Sequence, residues 1–310
     1  MELGTIIFLI VVGFIVATII FYFFASLFRY DMILNRNSYV GRIITTVMYK
    51  DLNHYNIDFS WWNKQKYQMI CIKSFDKLNL VGYYFNKKSN NTALLVHGYA
   101  SNAYEMQCYA KMFYDMGYNV LVVDNRGHGK SDGKIISMGY YEKYDISSWV
   151  NFLVEQNKDV KIVVFGVSMG GASVCMYSGT EKPKNVKAII SDCGYSNAYK
   201  VVRSVANKSV IFSILPTLQI FNLYAKHKVG FKLSDVDVVK QISKCNVPIL
   251  LIHGKKDNFV PFKMQDELYN ACPEEYRNKL SVENAGHGES LYTLKGKYIQ
   301  AVEEFLKKYV

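Results

Sequence analysis

The chain has 310 residues, half of them hydrophobic and a fifth charged, and a formal net charge of +11. That balance excludes a disordered chain and leaves room for one large α/β domain with an appendage. The lysines stand singly or in pairs, and no RNA-binding or helix-turn-helix signature accompanies them, so the charge reads as solvated surface and not as a nucleic-acid face.

From Leu3 to Phe28 the chain carries no charge at all. A bilayer core needs about 20 apolar residues, and this run exceeds that. It is too long for a signal-peptide core and lacks a basic leader, which predicts an uncleaved transmembrane anchor over residues 1–28. Only Glu2 precedes the run, whereas Arg29, Arg36 and Arg42 follow it, so the positive-inside tendency places the body on the cytoplasmic side. Residues 29–66 read as a juxtamembrane connector, in which Trp61-Trp62 suits either a membrane interface or packing on the domain.

A repeating pattern follows over 67–310. The stretches 67–74 and 80–86 read as two strands, 92–98 as a short buried strand, and 103–117 as a helix stopped by Gly117. Strands at 118–124, 160–166, 186–192, 247–254 and 279–284 alternate with helices at 140–156 and 168–179, one near Pro261, and one over 295–309. Continuous apolar strands alternating with helices predict an α/β fold with an about eight-stranded, mostly parallel sheet covered on both faces and an antiparallel opening edge. Residues 195–240 break the rhythm with an apolar, helical pattern, which reads as a lid or cap-like insertion or as an extended crossover.

Six cysteines, at 71, 108, 175, 193, 245 and 272, have no two within four residues of each other. With no CxxC pair, and several inside apolar strands, they read as buried free thiols of a reducing compartment, with no metal site.

The chemistry concentrates at Gly166-Val167-Ser168-Met169-Gly170. A lone Gly-x-Ser-x-Gly is a weak signal, but here it follows a strand and opens a helix, the setting of a nucleophile elbow. Ser168 would then project from the C-terminal edge of the sheet, over free N–H groups of the helix start. A serine hydroxyl needs a base. Of His54, His97, His128, His227, His253 and His287, only His287 lies in a loop between the last strand and the last helix, which makes it the expected base. His97 and His253 end strands and read as loop braces. The carboxylate that orients the base is expected to be Asp257, after the second-last strand, with Asp192 and Asp124 as competitors at other strand ends. Oxyanion donors are expected from the backbone of Met169 and from the loop 97–102, where Tyr99 follows His97-Gly98.

These stretches, VHGYASN, DNRGHGKSDG (124–133), GVSMGG, HGKKDNFVP and AGHGES, occur in order over 67–310, and with them the chain resembles the α/β-hydrolase superfamily. The pattern is most similar to membrane-anchored bacterial hydrolases of the Bem46-like and lysophospholipase or esterase-like groups. The resemblance implies Ser168 as nucleophile, Asp257 as acid, His287 as base, Tyr99 and Met169 as oxyanion donors, and a structural role for the loop Arg126-Gly127-His128-Gly129. The leading reading is a serine hydrolase that needs no cofactor or metal and cleaves a small acyl ester or thioester, and the apolar run 210–224 with the membrane anchor favours a lipid-like substrate. The alternatives are a peptidase of the same fold and a non-catalytic scaffold at the membrane.

Overall fold

The computed structural model describes residues 2–38, 60–206 and 217–310. In chain order these form α1 (Leu3–Leu34), α2 (Trp61–Lys64), β1 (Gln68–Lys73), β2 (Asn79–Phe85), β3 (Asn91–Val96), α3 (Gln107–Asp115), β4 (Asn119–Val123) and α4 (Glu142–Gln156). They continue with β5 (Lys161–Val167), α5 (Met169–Ser178), β6 (Val186–Asp192), α6 (Ala198–Ala206), α7 (Thr217–Val229), α8 (Val238–Ile242) and β7 (Ile249–Gly254). The chain closes with α9 (Lys263–Ala271), β8 (Arg277–Val282), α10 (Ser290–Leu294) and α11 (Gly296–Tyr309).

The eight strands form one sheet in the order β1-β2-β4-β3-β5-β6-β7-β8. The pairs β1/β2 and β2/β4 are antiparallel and the rest parallel. Side chains alternate across it with a period of two. Leu94, Val96, Ile162 and Val164 face one core with Trp149 of α4 and Tyr177 of α5. Ala93, Leu95, Val163 and Phe165 face the other, with Phe113 of α3 and Phe305 of α11. Because both faces are covered, the central strands are apolar throughout. From β3 the chain turns first toward β4 and then back to β5, so the winding reverses between β3 and β5. Strand order at such a reversal opens a crevice at the carboxyl ends of the strands. The loops after β3 and β5, carrying Tyr99 and Ser168, meet there.

Helix α1 is long and apolar enough to cross a membrane. It runs six residues past the uncharged stretch and turns its last part onto the domain: Ser26, Ile33 and Leu34 are buried, whereas almost all of residues 3–24 are exposed. Ser26 Oγ donates to the Thr217 carbonyl at 3.0 Å, and the Tyr30 and Tyr224 rings meet edge to face at 5.0 Å, so α7 of the insertion packs along α1. Arg42 and most of the expected connector lie in 39–59, and part of the apolar run of the insertion lies in 207–216; both lie outside the described residues. Trp61 and Trp62 pack on the domain: both are buried, with Trp62 edge to face on Phe85 at 4.8 Å and on Tyr83 at 5.3 Å. Four of the cysteines are buried as expected, but Cys71 is exposed on the edge strand β1, where one face of the strand has no layer over it.

Candidate functional site

Strand β5 ends at Val167 and α5 starts at Met169, so a single residue, Ser168, makes the turn. Its φ of +57° and ψ of −116° are strained for a residue with a side chain, and such strain persists only where the surroundings enforce it. Two glycines do so here. A Cβ on Gly166 would lie 2.2 Å from the Gly170 carbonyl oxygen, and one on Gly170 would lie 2.1 Å from that of Val96. Their absence lets helix and strands close on the turn. The Ser168 N–H donates to the Asp192 carbonyl at 2.8 Å, which ties the elbow to β6.

The Ser168 hydroxyl donates to His287 Nε2 at 2.8 Å. His287 lies in the loop between β8 and α10, and its Nδ1 donates to Asp257 Oδ2 at 2.7 Å. Asp257 follows β7, and its loop is wound around the carboxylate: Oδ1 accepts the N–H groups of Phe259 and Val260, both at 2.8 Å. His253 Nε2 donates to the Val260 carbonyl at 3.0 Å and lies 3.2 Å from Asp257 Oδ2. Burial would push the Asp257 carboxyl up, but His287 beside it, with hydrogen bonds from both histidines, holds it well below the usual carboxylate range. An ionised carboxylate only accepts. It therefore keeps the His287 proton on Nδ1 and leaves the Nε2 lone pair for Ser168.

The competing carboxylates are spent elsewhere. Asp192 is fully buried, accepts the Tyr298 hydroxyl at 2.9 Å, and is pushed up to about 6 by its burial. Asp124 accepts the N–H groups of Ala103 at 2.8 Å and Lys130 at 2.9 Å, which shapes two loops.

The loop after β3 is held by two buried histidines. His97 Nδ1 donates to the Gly98 carbonyl at 2.7 Å, while its Nε2 accepts the Asn125 N–H at 3.0 Å. His128 Nδ1 donates to the Arg126 carbonyl at 2.9 Å, and its Nε2 accepts the Ala100 N–H at 3.0 Å. Both roles require the neutral ring, and burial lowers His97 to about 4 and His128 to about 3. Sequence patterning marks His97 as a loop brace, and the resemblance gives the His128 loop a structural role, but neither reveals these partners. Arg126 of the same loop forks onto Asp145, with Nε and Nη2 both at 2.6 Å, and reaches Asp76 at 2.9 Å. Neither acid carries a sequence signal. Among the other histidines, His227 is exposed on α7 and His54 lies outside the described residues.

Ser168, His287, Tyr99, Met106, Tyr109 and Phe259 line one cavity of about 510 Å³. Met169 lies under it, its side chain buried in the core and its N–H in the first turn of α5, where backbone donors have no helical acceptor. The ligating atoms of Cys193, Asp257 and His287 lie within 4.8 Å of one another. That set suits a metal poorly. Asp257 and His287 are hydrogen-bonded to each other, and burial, with the carboxylates of Asp192 and Asp257 nearby, pushes the Cys193 thiol well up and away from the thiolate a metal needs.

Strand order, elbow and winding reversal define the α/β-hydrolase fold, and comparison with known proteins agrees. Residues 87–232 match the family described as serine aminopeptidase, S33. The chain is 29% identical over 220 residues to the protein YqkD of Bacillus subtilis, covering 70% of this chain and 71% of that one. It is 25% identical over 250 residues to the protein bem46 of Schizosaccharomyces pombe, covering 78% and 77%. It is 28% identical over 183 residues to the lysophosphatidylserine lipase ABHD12 of Xenopus tropicalis, covering 57% of this chain but only 45% of that protein. Among solved structures, the Pyrococcus furiosus esterase Pf2001 superposes with a TM-score of 0.67 at 22% identity, covering 82% of this chain and 95% of that one. The chain has the α/β-hydrolase fold and is similar to the hydrolases of that superfamily. Of the relatives named, bem46 is matched over most of both chains.

Proposed function

We propose that the protein is a serine hydrolase that cleaves an acyl ester or thioester through an acyl-enzyme. The observation that carries this reading is the unbroken relay of Ser168 Oγ to His287 Nε2 at 2.8 Å and His287 Nδ1 to Asp257 Oδ2 at 2.7 Å, at the carboxyl edge of the sheet. Ser168 Oγ attacks the substrate carbonyl as His287 Nε2 takes its proton, and Asp257 stabilises the imidazolium that forms. The backbone N–H groups of Met169 and Tyr99 receive the charge that develops on the carbonyl oxygen. His287 then protonates the leaving alcohol or thiol, and water activated by the same ring releases the acid. This sequence calls on no metal or cofactor.

The substrate reading rests on the cavity and on the relatives. Met106, Tyr109, Val167, Phe259 and Tyr292 give the wall near Ser168 an apolar character suited to an acyl chain. A lysophosphatidylserine lipase among the relatives supports a lipid-like ester. Helix α1 supports a membrane location, and Arg29 and Arg36 at its inner end favour the cytoplasmic side for the domain. A peptidase is the second reading, favoured by the S33 aminopeptidase description of the matched family.

The test compares the full-length protein with Ser168→Ala and His287→Ala on p-nitrophenyl acyl esters and on aminoacyl p-nitroanilides. Ester turnover that vanishes in both variants, with melting temperatures near the parent's, is the expected result. Turnover that survives in either variant would overturn the assignment, and preference for the anilides would favour the peptidase.

A further inference from the structure

Helix α1 reaches further than a tether requires. Its 32 residues span about 48 Å, against about 30 Å for the hydrocarbon core of a bilayer. The last four carbonyls of any helix have no acceptor role within it and must be satisfied from outside. Here the hydrolase domain contributes. The Asp31 carbonyl takes the Asn35 N–H at 3.2 Å, but the Leu34 carbonyl takes the N–H of Ile136 at 2.8 Å. The Met32 carbonyl takes the hydroxyl of Tyr99 at 3.1 Å. Just past the helix, the Arg36 guanidinium donates to the carbonyls of Gly129 and Ser131, both at 2.6 Å.

Those contacts fall on the loop that carries Tyr99 and on the loop bearing His128, which braces it. Tyr99 is clamped from two sides, by its own hydroxyl on Met32 and by the next residue, whose N–H is fixed on His128 Nε2 at 3.0 Å. Ala100 takes a φ of +51° to make that second contact, a conformation a side chain disfavours and only a restrained loop maintains. The loop bearing His128 is in turn held by Arg36. Burial, with Asp31 nearby, pushes the Tyr99 hydroxyl up, so it stays protonated and remains a donor.

We propose that the Tyr99 hydroxyl is a positioning group: anchored on the Met32 carbonyl, it aims the Tyr99 backbone N–H at the oxyanion, so that the end of the membrane helix is a working part of the site. The proposal rests on the reading of Ser168 as the nucleophile. A donor displaced by as little as an ångström loses much of its effect on the developing charge, while ground-state binding through the Tyr99 ring is left alone.

The test uses the full-length protein in detergent micelles, with Tyr99→Phe and Arg36→Ala beside the parent. The readouts are kcat and KM on p-nitrophenyl butyrate, the rate constant for phosphonylation by a fluorophosphonate, and thermal melting. Tyr99→Phe is expected to lower kcat and the phosphonylation rate by about tenfold, with KM within about twofold of the parent. Arg36→Ala, which frees the same helix end from the neighbouring loop, is expected to lower kcat by about threefold. Parent-like kcat in both variants, or a raised KM with kcat unchanged in Tyr99→Phe, would overturn the proposal while leaving Ser168 as nucleophile. A parent protein that neither turns over ester nor takes up the phosphonate would overturn the underlying reading and the proposal with it.

Discussion

Replacing Asp257 by asparagine changes almost no atoms yet is expected to remove nearly all activity. The carboxylate makes two kinds of contact. Oδ1 accepts two backbone N–H groups, from Phe259 and Val260, and only an oxygen can occupy that place. The amide nitrogen of an asparagine must therefore sit where Oδ2 now faces His287 Nδ1 at 2.7 Å. A donor there forces the His287 proton onto Nε2, which then points a proton at the Ser168 hydroxyl instead of a lone pair. A triad with the wrong tautomer loses about 10⁴ in kcat, which is about 5 kcal/mol of transition-state stabilisation. The assay is p-nitrophenyl ester turnover by the full-length protein, with Asp192→Asn as the control. Asp257→Asn should lose about four orders of magnitude in kcat with a small change in KM, and the control should stay within a few fold of the parent. An Asp257→Asn protein within tenfold of the parent, or a control that falls as far, would refute the reasoning.

Gly170→Ala should fail to accumulate as folded protein or melt far below the parent, because its Cβ would meet a backbone carbonyl at 2.1 Å that cannot move without moving β3. A cost of about 3 kcal/mol or more is expected, and a parent-like melt would contradict the account of the elbow. The control variant also carries a pH prediction. Burial pushes Asp192 up to about 6, roughly two units above an unfolded value near 3.9, so between those values the folded state binds more protons than the unfolded one. Its penalty on stability is therefore absent below about pH 4, grows as pH rises through 6, and reaches the order of 3 kcal/mol above that. Asp192→Asn keeps an acceptor for Tyr298 and removes the penalty, so its gain in melting temperature over the parent should be larger at pH 8 than at pH 4. The opposite order would show that Asp192 stays ionised at little cost.

Local features of the sequence carried most of the fold. An eight-stranded, mostly parallel sheet with an antiparallel edge was legible because buried strands are short apolar runs ending in Gly or Asp, as at Val96-His97-Gly98 and Ser191-Asp192. The order of β3 and β4 was not, since both runs are equally apolar and nothing in them says which sits beside β5. Ser168, His287 and Asp257 stood out because each follows a strand, and strand ends of a parallel sheet share one edge. Tyr99 stood out only as a backbone position. Its hydroxyl partner is a carbonyl 67 residues away, and carbonyls leave no mark on a sequence. Arg126 showed the same limit, since Asp76 and Asp145 lie 50 and 19 residues from it in loop and helix contexts that look like ordinary surface. The end of α1 was hidden by its own composition. Phe28, Tyr30, Met32, Ile33 and Leu34 suit a bilayer and a protein core equally, and only the tertiary contacts separate the two.

The central claim is that Ser168 carries the acyl group during turnover. Mixing the full-length protein with a p-nitrophenyl ester, quenching in acid within the first turnovers and mapping the peptides by mass spectrometry tests it directly. The account predicts an acyl mass increment on the peptide containing Ser168, absent in Ser168→Ala and strongly reduced in His287→Ala, which lacks the base that takes the Ser168 proton. Turnover with the increment on another residue, or with no covalent species under conditions where a stable phosphonate labels the protein elsewhere, would contradict it.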